Sequence, residues 1–508
     1  MVALHDRAEV PAFHGLAGVA RRDVTPGPGI RARNWGPADW DVSEGAHRSL
    51  TLTAVALAEE SAPGSLLVLV TIDGTWWRRV DDEATLRATV LDVLDLPAER
   101  LLVCLSHTHA GPVLCSGDAD LPGGDRGVEY LRDLAHAAAD AAREAVGALA
   151  PAVLEWTTAR CSLASNRELL LDGCGGGDTH DGAPGARRAL VGFNPDAGTP
   201  LSPGADIADD LVVVGRLSRR PDHAAGDGTA DVPVPLATIV NYACHPTTLA
   251  WQNRLVSPDY VGAMRDLVER GTGAPVAFLQ GASGELAPRQ QYTGDLDVAD
   301  RHGLSLGHVV LGALATLPPA GTELELAAVV ESGAPLAAWE PRPTAARAEA
   351  RTLDAVSAAV ELDLRDLPTW DELEAEWKDI DPRSRDERLR RARNLRDGYV
   401  TGPTVQHPTW AWRVGEALLV AHPGEAYSRF QRTVRARTAR PVVVANLTNG
   451  PGFVYLPTRE AYDVGAYQAW QSPLAAGSLE RLEAHAGSLM DDLLAPSTTS
   501  TTSTTEDQ

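Results

Sequence analysis

Short apolar runs that end in polar or metal-binding residues, followed by glycine or proline, recur along this chain and limit it to layered folds built on buried strands. SLLVLVTIDG at 65–74, LLVCLSHTH at 101–109, LVVVGRLS at 211–218, PLATIVNYACH at 235–245, APVAFLQG at 274–281, GEALLVAHPGE at 415–425 and PVVVANLTNG at 441–450 all read this way. Between them lie helical patterns. DDEATLRATVLDVLD at 81–95 is one, and the stretch from Gly127 to Ala148 keeps Val128, Leu131, Leu134 and Ala138 at helical spacing. A third runs from Tyr260 to Gly271. The alternation predicts an α/β fold with mixed α+β layers, central β-sheets flanked by helices, and neither an all-α nor an all-β chain. In open α/β sheets the chemistry collects at the carboxyl ends of strands. Candidate residues are therefore sought there.

Four segments depart from the pattern. LDGCGGGDTHDGAPG at 171–185 is Gly-rich without apolar periodicity, and 220–232 is similar; both predict surface loops. The stretch 342–399 intersperses Glu and Asp with Arg and predicts a solvated helical insertion. PSTTSTTSTTEDQ at 496–508 is low in complexity and predicts a disordered tail.

Charge narrows the partners. The 69 acidic and 45 basic residues leave a formal charge of −24, which argues against nucleic acid or anionic membrane as the main partner. No window approaches 18 uninterrupted apolar residues, so no transmembrane helix is expected. The start, MVALHDRAEVPAFHG, lacks a basic region followed by a long apolar run, and no secretory signal is expected. The five cysteines, Cys104, Cys115, Cys161, Cys174 and Cys244, are odd in number and contain no CxxC. A disulfide framework or structural zinc knuckle is not expected, and the chain reads as cytoplasmic with reduced thiols. The oligomeric state stays open, a homo-oligomer included.

Chemistry concentrates at three strand ends and one tyrosine. In Ser106-His107-Thr108-His109-Ala110-Gly111-Pro112, residues i and i+2 of an extended strand point the same way. His107 and His109 then face one spot as two ligands, or as a ligand and a base; two histidines in a hydrogen-bonded turn are the plainer alternative. His245 directly follows the strand of Asn241-Tyr242-Ala243-Cys244-His245-Pro246, where Pro246 disfavours helix. Glu425 closes His422-Pro423-Gly424-Glu425, where it could equally be a helix N-terminal charge. Tyr455 in GPGFVYLPTREAY is by default a packed aromatic. Imidazole nitrogen and carboxylate oxygen are what Zn²⁺ prefers outside cysteine sites, and a catalytic zinc keeps one position for water. Asp73 ends the 65–74 run and Asp259 follows the His245 strand; each could orient a ligand histidine, or simply be a turn or cap carboxylate.

Several of these segments resemble motifs of the neutral, non-lysosomal ceramidase family. HTHAGP is similar to that family's HTHSGP. NYACHPTTL with NRLVSPDYVG is similar to its His-Pro-Thr stretch and LVSGD segment, and FLQGASGELAPR to its FxQxNxGDxSPN stretch. PGEAYSRF resembles its PGE stretch, and YLPTREAYDVGAY its YxTTPEEYxxxxY stretch. Order and approximate spacing agree from about residue 17 to about residue 490.

The resemblance implies one catalytic domain over 1–495, without the family's C-terminal β-sandwich domain. It implies His107, His245, Glu425 and Tyr455 as zinc ligands and His109 as the group acting on water or substrate. Tyr467 would assist the reaction, and Arg167 of the Asn166-Arg167 pair would hold the substrate oxygen. A serine of the family's GDxSPN stretch is replaced by Ala287, and Ser283 is out of register. That favours attack by metal-activated water on a linear amide over a serine acyl-enzyme. The expected partner is a small acyl-amide-like molecule whose acyl and amine parts stay open. An esterase, lactonase or small-amide hydrolase on the same scaffold, or a non-catalytic zinc-binding protein, are the competing readings.

Overall fold

Two β-sheets lie face to face between two helical layers. The structure is a computed structural model and describes residues 6–62, 64–171, 188–202, 204–220, 233–344 and 346–495. The larger sheet has eight strands, in the spatial order Val276–Gln280, Val234–Tyr242, Leu211–Arg219, Ala150–Arg160, Ala12–Asp23, Thr51–Ala58, Leu67–Ile72 and Leu101–Leu105. Its two outermost pairs are parallel and the pairs between them antiparallel. The second sheet has four strands, in the order Leu353–Asp363, Thr404–Val414, Ala417–Ala421 and Val442–Ala445.

Side chains alternate between faces at period two. Val68, Val70 and Ile72 face the helices Val80–Leu94 and Gly124–Gly147, where they meet Leu86, Val90, Leu134 and Ala138. Leu67 and Leu69 point the other way, towards Trp410, Trp412, Leu419 and Val443 of the second sheet. Farther along the large sheet, Val212, Val214, Val240 and Tyr242 pack on Tyr260, Met264, Val268 and Leu306 of the helices Tyr260–Thr272 and Leu296–Ala315. The outer face of the second sheet (Leu418, Val420, Val444) is covered by Leu479, Leu482 and Ala486 of the helix Ser478–Leu494. Both faces of most strands are therefore buried, which is why they appear in the sequence as unbroken apolar runs. Each fully buried Val or Leu side chain contributes roughly 1.5–3 kcal/mol. Gly18 permits close approach of helix to sheet, because a Cβ there would stand 2.0 Å from the Ala145 carbonyl oxygen.

The large sheet curls until its edge strands Val276–Gln280 and Leu101–Leu105 come into contact. Residues 446–449 close the seam. Asn446 N–H donates to the Gln280 carbonyl at 2.9 Å, Leu105 N–H to Leu447 at 3.2 Å, and Asn449 N–H to Val103 at 3.0 Å. The strand ends that carry His107 and His245 are brought together by this closure.

The stretch 342–399 departs from its sequence reading. It holds the end of the strand Pro335–Pro343, the strand Leu353–Asp363 and two helices, Trp370–Glu376 and Pro382–Arg396. Leu353–Asp363 pairs along its whole length with Thr404–Val414 and forms the edge of the second sheet. Half of its residues face solvent, so DAVSAAVELD shows little apolar alternation. The second helix is not simply solvated either: Arg391 is turned inward over Trp76. The Gly-rich stretches at 171–185 and 220–232, apart from Leu171 and Arg220, lie outside the described residues, as do Cys174 and the 496–508 tail. The four described cysteines are buried free thiols. Among the described residues no helix is long and apolar enough to cross a membrane.

Candidate metal centre

Three imidazoles and a carboxylate converge where the curled sheet closes. The strand Leu101–Leu105 ends before the histidines, and His107 adopts a left-handed backbone with φ 68°. The i/i+2 geometry of an extended strand is therefore not what aligns His107 and His109. They face each other through the turn, with Nε2 atoms 3.4 Å apart. His245 follows the end of the strand Val234–Tyr242, which the curl brings near, and its ring centroid is 4.7 Å from that of His107. Glu425 pairs in parallel register with Tyr455, which sets the two side chains on one face. One Glu425 oxygen, Oε2, lies 3.2 Å from His107 Nε2 and 3.0 Å from His245 Nε2. His107, His245 and Glu425 are all buried.

The far side of each ring fixes its tautomer. His107 Nδ1–H donates to the Thr75 carbonyl at 2.8 Å, and His245 Nδ1–H donates to the Ser283 carbonyl at 2.6 Å. A carbonyl can only accept, so Nδ1 of each ring carries a proton, and in the neutral form that a metal requires Nε2 offers its lone pair on the Glu425 side. Burial, with Arg167 adding to it, lowers the His245 pKa to about 3, so that ring carries no extra proton near neutrality. Burial also lowers His109, with His107 and His245 adding to it. Burial alone would raise Glu425; positive charge at the adjoining His107 and His245 rings, where a metal ion would sit, holds it well below the usual carboxylate range. Lone pairs converging on an ionised carboxylate repel unless a cation sits among them. Their separations from Glu425 Oε2 of 3.0 and 3.2 Å fit the edge of a tetrahedron with arms of about 2.0–2.1 Å, which is about 3.3 Å. The donor set therefore fits a divalent metal. The three histidine donors lie within 4.8 Å of one another.

Around this point stand the other residues singled out from sequence. Arg167 is buried, and its Nη2 lies 3.0 Å from His245 Nε2, 3.2 Å from the Tyr455 hydroxyl and 2.8 Å from the Gly284 carbonyl. Burial pushes the Tyr455 phenol well above its ordinary value. Tyr467, at the start of the short helix Tyr467–Gln471, has its ring 6.1 Å from Tyr455.

Asp73 and Asp259 do not orient the histidines. Asp73 accepts from Arg265 Nη2 at 2.8 Å and from the Thr51 N–H at 2.8 Å. Asp259 caps the helix Tyr260–Thr272 and accepts from the Leu249 N–H. Backbone carbonyls of Thr75 and Ser283 do the orienting instead. Ser283 Oγ sits behind His245, 3.2 Å from Nδ1 and 2.7 Å from Gln280 Nε2, on the ring edge turned away from Glu425. His422 is structural: its Nδ1 accepts from the Gly424 N–H at 3.1 Å.

Aromatic rings wall the site, and sequence reasoning missed them. His109 is flanked by Trp35 at 5.2 Å and Trp76 at 5.3 Å, and Tyr292 packs on Trp35 at 5.5 Å. Trp76 lies just past the strand Leu67–Ile72, so the strand-end rule would have reached it had it been extended to aromatics.

No protein-family model matches the chain, and no curated protein matches it. Among solved structures, the neutral ceramidase of Pseudomonas aeruginosa superposes with a TM-score of 0.60 at 16% identity, covering 96% of this chain and 75% of that one. A structure described as ceramidase complexed with C2 gives a TM-score of 0.60 at 16% identity, covering 95% of this chain and 76% of that one. The chain thus has the fold of these ceramidases.

Proposed function

We propose that the chain is a zinc-dependent hydrolase of a linear amide bond in an N-acyl amide, acting through water. His107, His245, Glu425 and Tyr455 would hold the metal. The observation that carries this reading is the convergence of the His107 and His245 Nε2 lone pairs on ionised Glu425, with each ring locked by a carbonyl behind it. The solved ceramidases of the same fold act on an amide, which supports the bond type.

When bound, Zn²⁺ supplies Lewis-acid polarisation of the substrate carbonyl and lowers the pKa of water towards about 7. The residues do the rest. His109, kept neutral by burial, can take a proton at Nε2 and return it to the leaving nitrogen. Arg167 Nη2 is held by the Gly284 carbonyl in front of His245 and Tyr455, and from there it can donate to an oxygen that gains negative charge. Tyr467 can donate beside it. One such donor is typically worth roughly 3 kcal/mol. Trp35 and Trp76 flank the half-buried His109, whose Nε2 faces the site. Ser283 is held behind His245, which supports water over serine as the attacking group.

The cluster of His107, His109 and His245 favours one variation, in which His109 is a third imidazole ligand. Metal analysis of His109→Ala separates the two. The proposal expects about one zinc per chain, lost in His245→Ala and retained in His136→Ala, which changes an exposed residue of the helix Gly124–Gly147. A protein that takes up no zinc after reconstitution would refute it.

A further inference from the structure

We propose that the substrate of this site carries a carboxylate close to the scissile amide, as in an N-acyl amino acid, and that Arg391 receives that carboxylate. The inference rests on the amide-hydrolase reading and names the substrate class for it.

Arg391 belongs to the helix Pro382–Arg396, and its guanidinium carbon lies 5.3 Å from the Trp76 ring centroid. Trp76 in turn lies 5.3 Å from the His109 ring. Burial would lower the Arg391 pKa, but Tyr467, Tyr455, Glu425 and Glu387 raise it instead. Of the other arginines of this helix, Arg390 pairs with Asp386, Arg396 with the Pro368 carbonyl and Arg383 with Asp41, while Arg388 and Arg393 stand over tryptophan rings farther from His109. The Arg391 guanidinium makes no hydrogen bond and no ion pair to any described residue, and it stands over the Trp76 ring. A guanidinium offers five N–H donors in a fork that matches a carboxylate. Arg391 is only half-buried, so its donors are open to water and to an anionic ligand that takes the place of that water.

The surroundings fit an anion on an acyl chain. The same Trp76 ring carries the Arg78 guanidinium at 5.4 Å. Arg78 has a side chain 9% exposed and a buried Nε without a partner. Glu387 shares this space and lies 3.7 Å from Arg33. Arg391 also lines a cavity of about 520 Å³ together with Trp377, Arg388 and Trp470. Arg388 stands over both of these rings, at 5.8 and 5.7 Å. From that cavity Trp470, Tyr467 and Tyr455 step towards His245 at ring spacings of 6.1, 6.1 and 6.4 Å. Aromatic faces would hold the chain, while guanidinium groups neutralise the acid. Hydrolysis adds water across the C–N bond: the acyl carbon gains hydroxyl, the nitrogen gains hydrogen, and a fatty acid and an amino acid result.

The test compares N-dodecanoylglycine with its uncharged counterpart N-dodecanoylglycinamide, as substrates of the zinc-loaded full chain and as ligands in calorimetry on the slow His109→Ala background. Arg391→Met should lower kcat/KM for the glycine conjugate by about 10- to 100-fold, the range of a lost charge-assisted hydrogen bond. It should leave the glycinamide within about threefold, and Arg391→Lys should restore part of the loss. The Kd of the glycine conjugate alone should rise in the His109→Ala, Arg391→Met protein. Equal losses for both compounds, or equal binding of both by the protein with Arg391 intact, would overturn the assignment. If neither compound is cut, the hydrolase reading fails, and calorimetry still decides whether Arg391 binds a carboxylate.

Discussion

His107 shows what the site demands of a single residue. A left-handed φ of 68° costs a non-glycine residue on the order of 1–3 kcal/mol, and the fold tolerates it because the ring then reaches Thr75 with one nitrogen and Glu425 with the other. The histidines and Glu425 were legible in the sequence because each follows an apolar run. Their orienting partners were not, since Thr75 and Ser283 act through backbone carbonyls, which any residue has. Asp73 and Asp259 drew attention because carboxylates are the orienting groups that sequence can show, and both prove to serve elsewhere. Division of labour between the two HTH histidines can be read from one substitution. His109→Ala should keep its zinc and lose on the order of 10²–10⁴ in kcat, the usual share of general acid–base catalysis. Loss of zinc from that variant would make His109 a ligand. Ser283→Ala should turn over within about threefold of the parent, and rapid-quench mass spectrometry should find no acyl adduct on any serine. An adduct that decays at the turnover rate would restore a serine mechanism.

Among the elements, strands buried on both faces could be read and strands short of large side chains could not. Leu67–Ile72, Leu211–Arg219 and Val442–Ala445 are rich in Val and Leu. Ala12–Asp23 and Thr51–Ala58 lie at the middle of the large sheet, yet AFHGLAGVARRD and TLTAVALA carry alanine and glycine where helix and sheet pack closest. Low β-propensity there is overridden by burial. The 446–449 seam is equally hidden, because its hydrogen bonds to the strand Leu101–Leu105 join parts of the chain over 340 residues apart. Asn449 Oδ1 accepts from the Val103 N–H at 2.9 Å, and its Nδ2 donates to the Leu101 carbonyl at 3.0 Å. Asn449→Ala strands two buried backbone groups at about 1–3 kcal/mol each. It also places alanine at φ 52°, which adds about 1 kcal/mol. Urea unfolding should therefore show a loss of about 3–7 kcal/mol and weaker zinc retention, because the seam holds the His107 and His245 strand ends together. A loss below about 1 kcal/mol would mean that the edges meet without it.

For the whole molecule, the layered α/β class could be read from the alternating apolar runs, while the two stacked sheets and the curl could not, since they depend on pairings distant in sequence. The same deep burial leaves carboxyl groups with few counter-charges. Glu285 is raised by burial to about 8 and accepts from the Ser428 N–H, while Glu168 is raised by burial to about 7 and accepts from the Tyr427 hydroxyl. In the unfolded chain both would titrate near the ordinary 4.5. Between about pH 4.5 and pH 8 the folded state thus holds more protons than the unfolded one, and stability falls as pH rises through that window. The contribution is fully present below the unfolded value and is gone above the folded one. Each group can set a slope of up to about 1.4 kcal/mol per pH unit. Glu285→Gln keeps the acceptor for Ser428 but has no proton to release. At constant zinc, its unfolding free energy should decline less steeply than the parent's between pH 5 and 7.5, with the two curves diverging most at the alkaline end. Parallel curves would show that Glu285 is already ionised in the folded protein, and that Ser428 suffices to hold the charge.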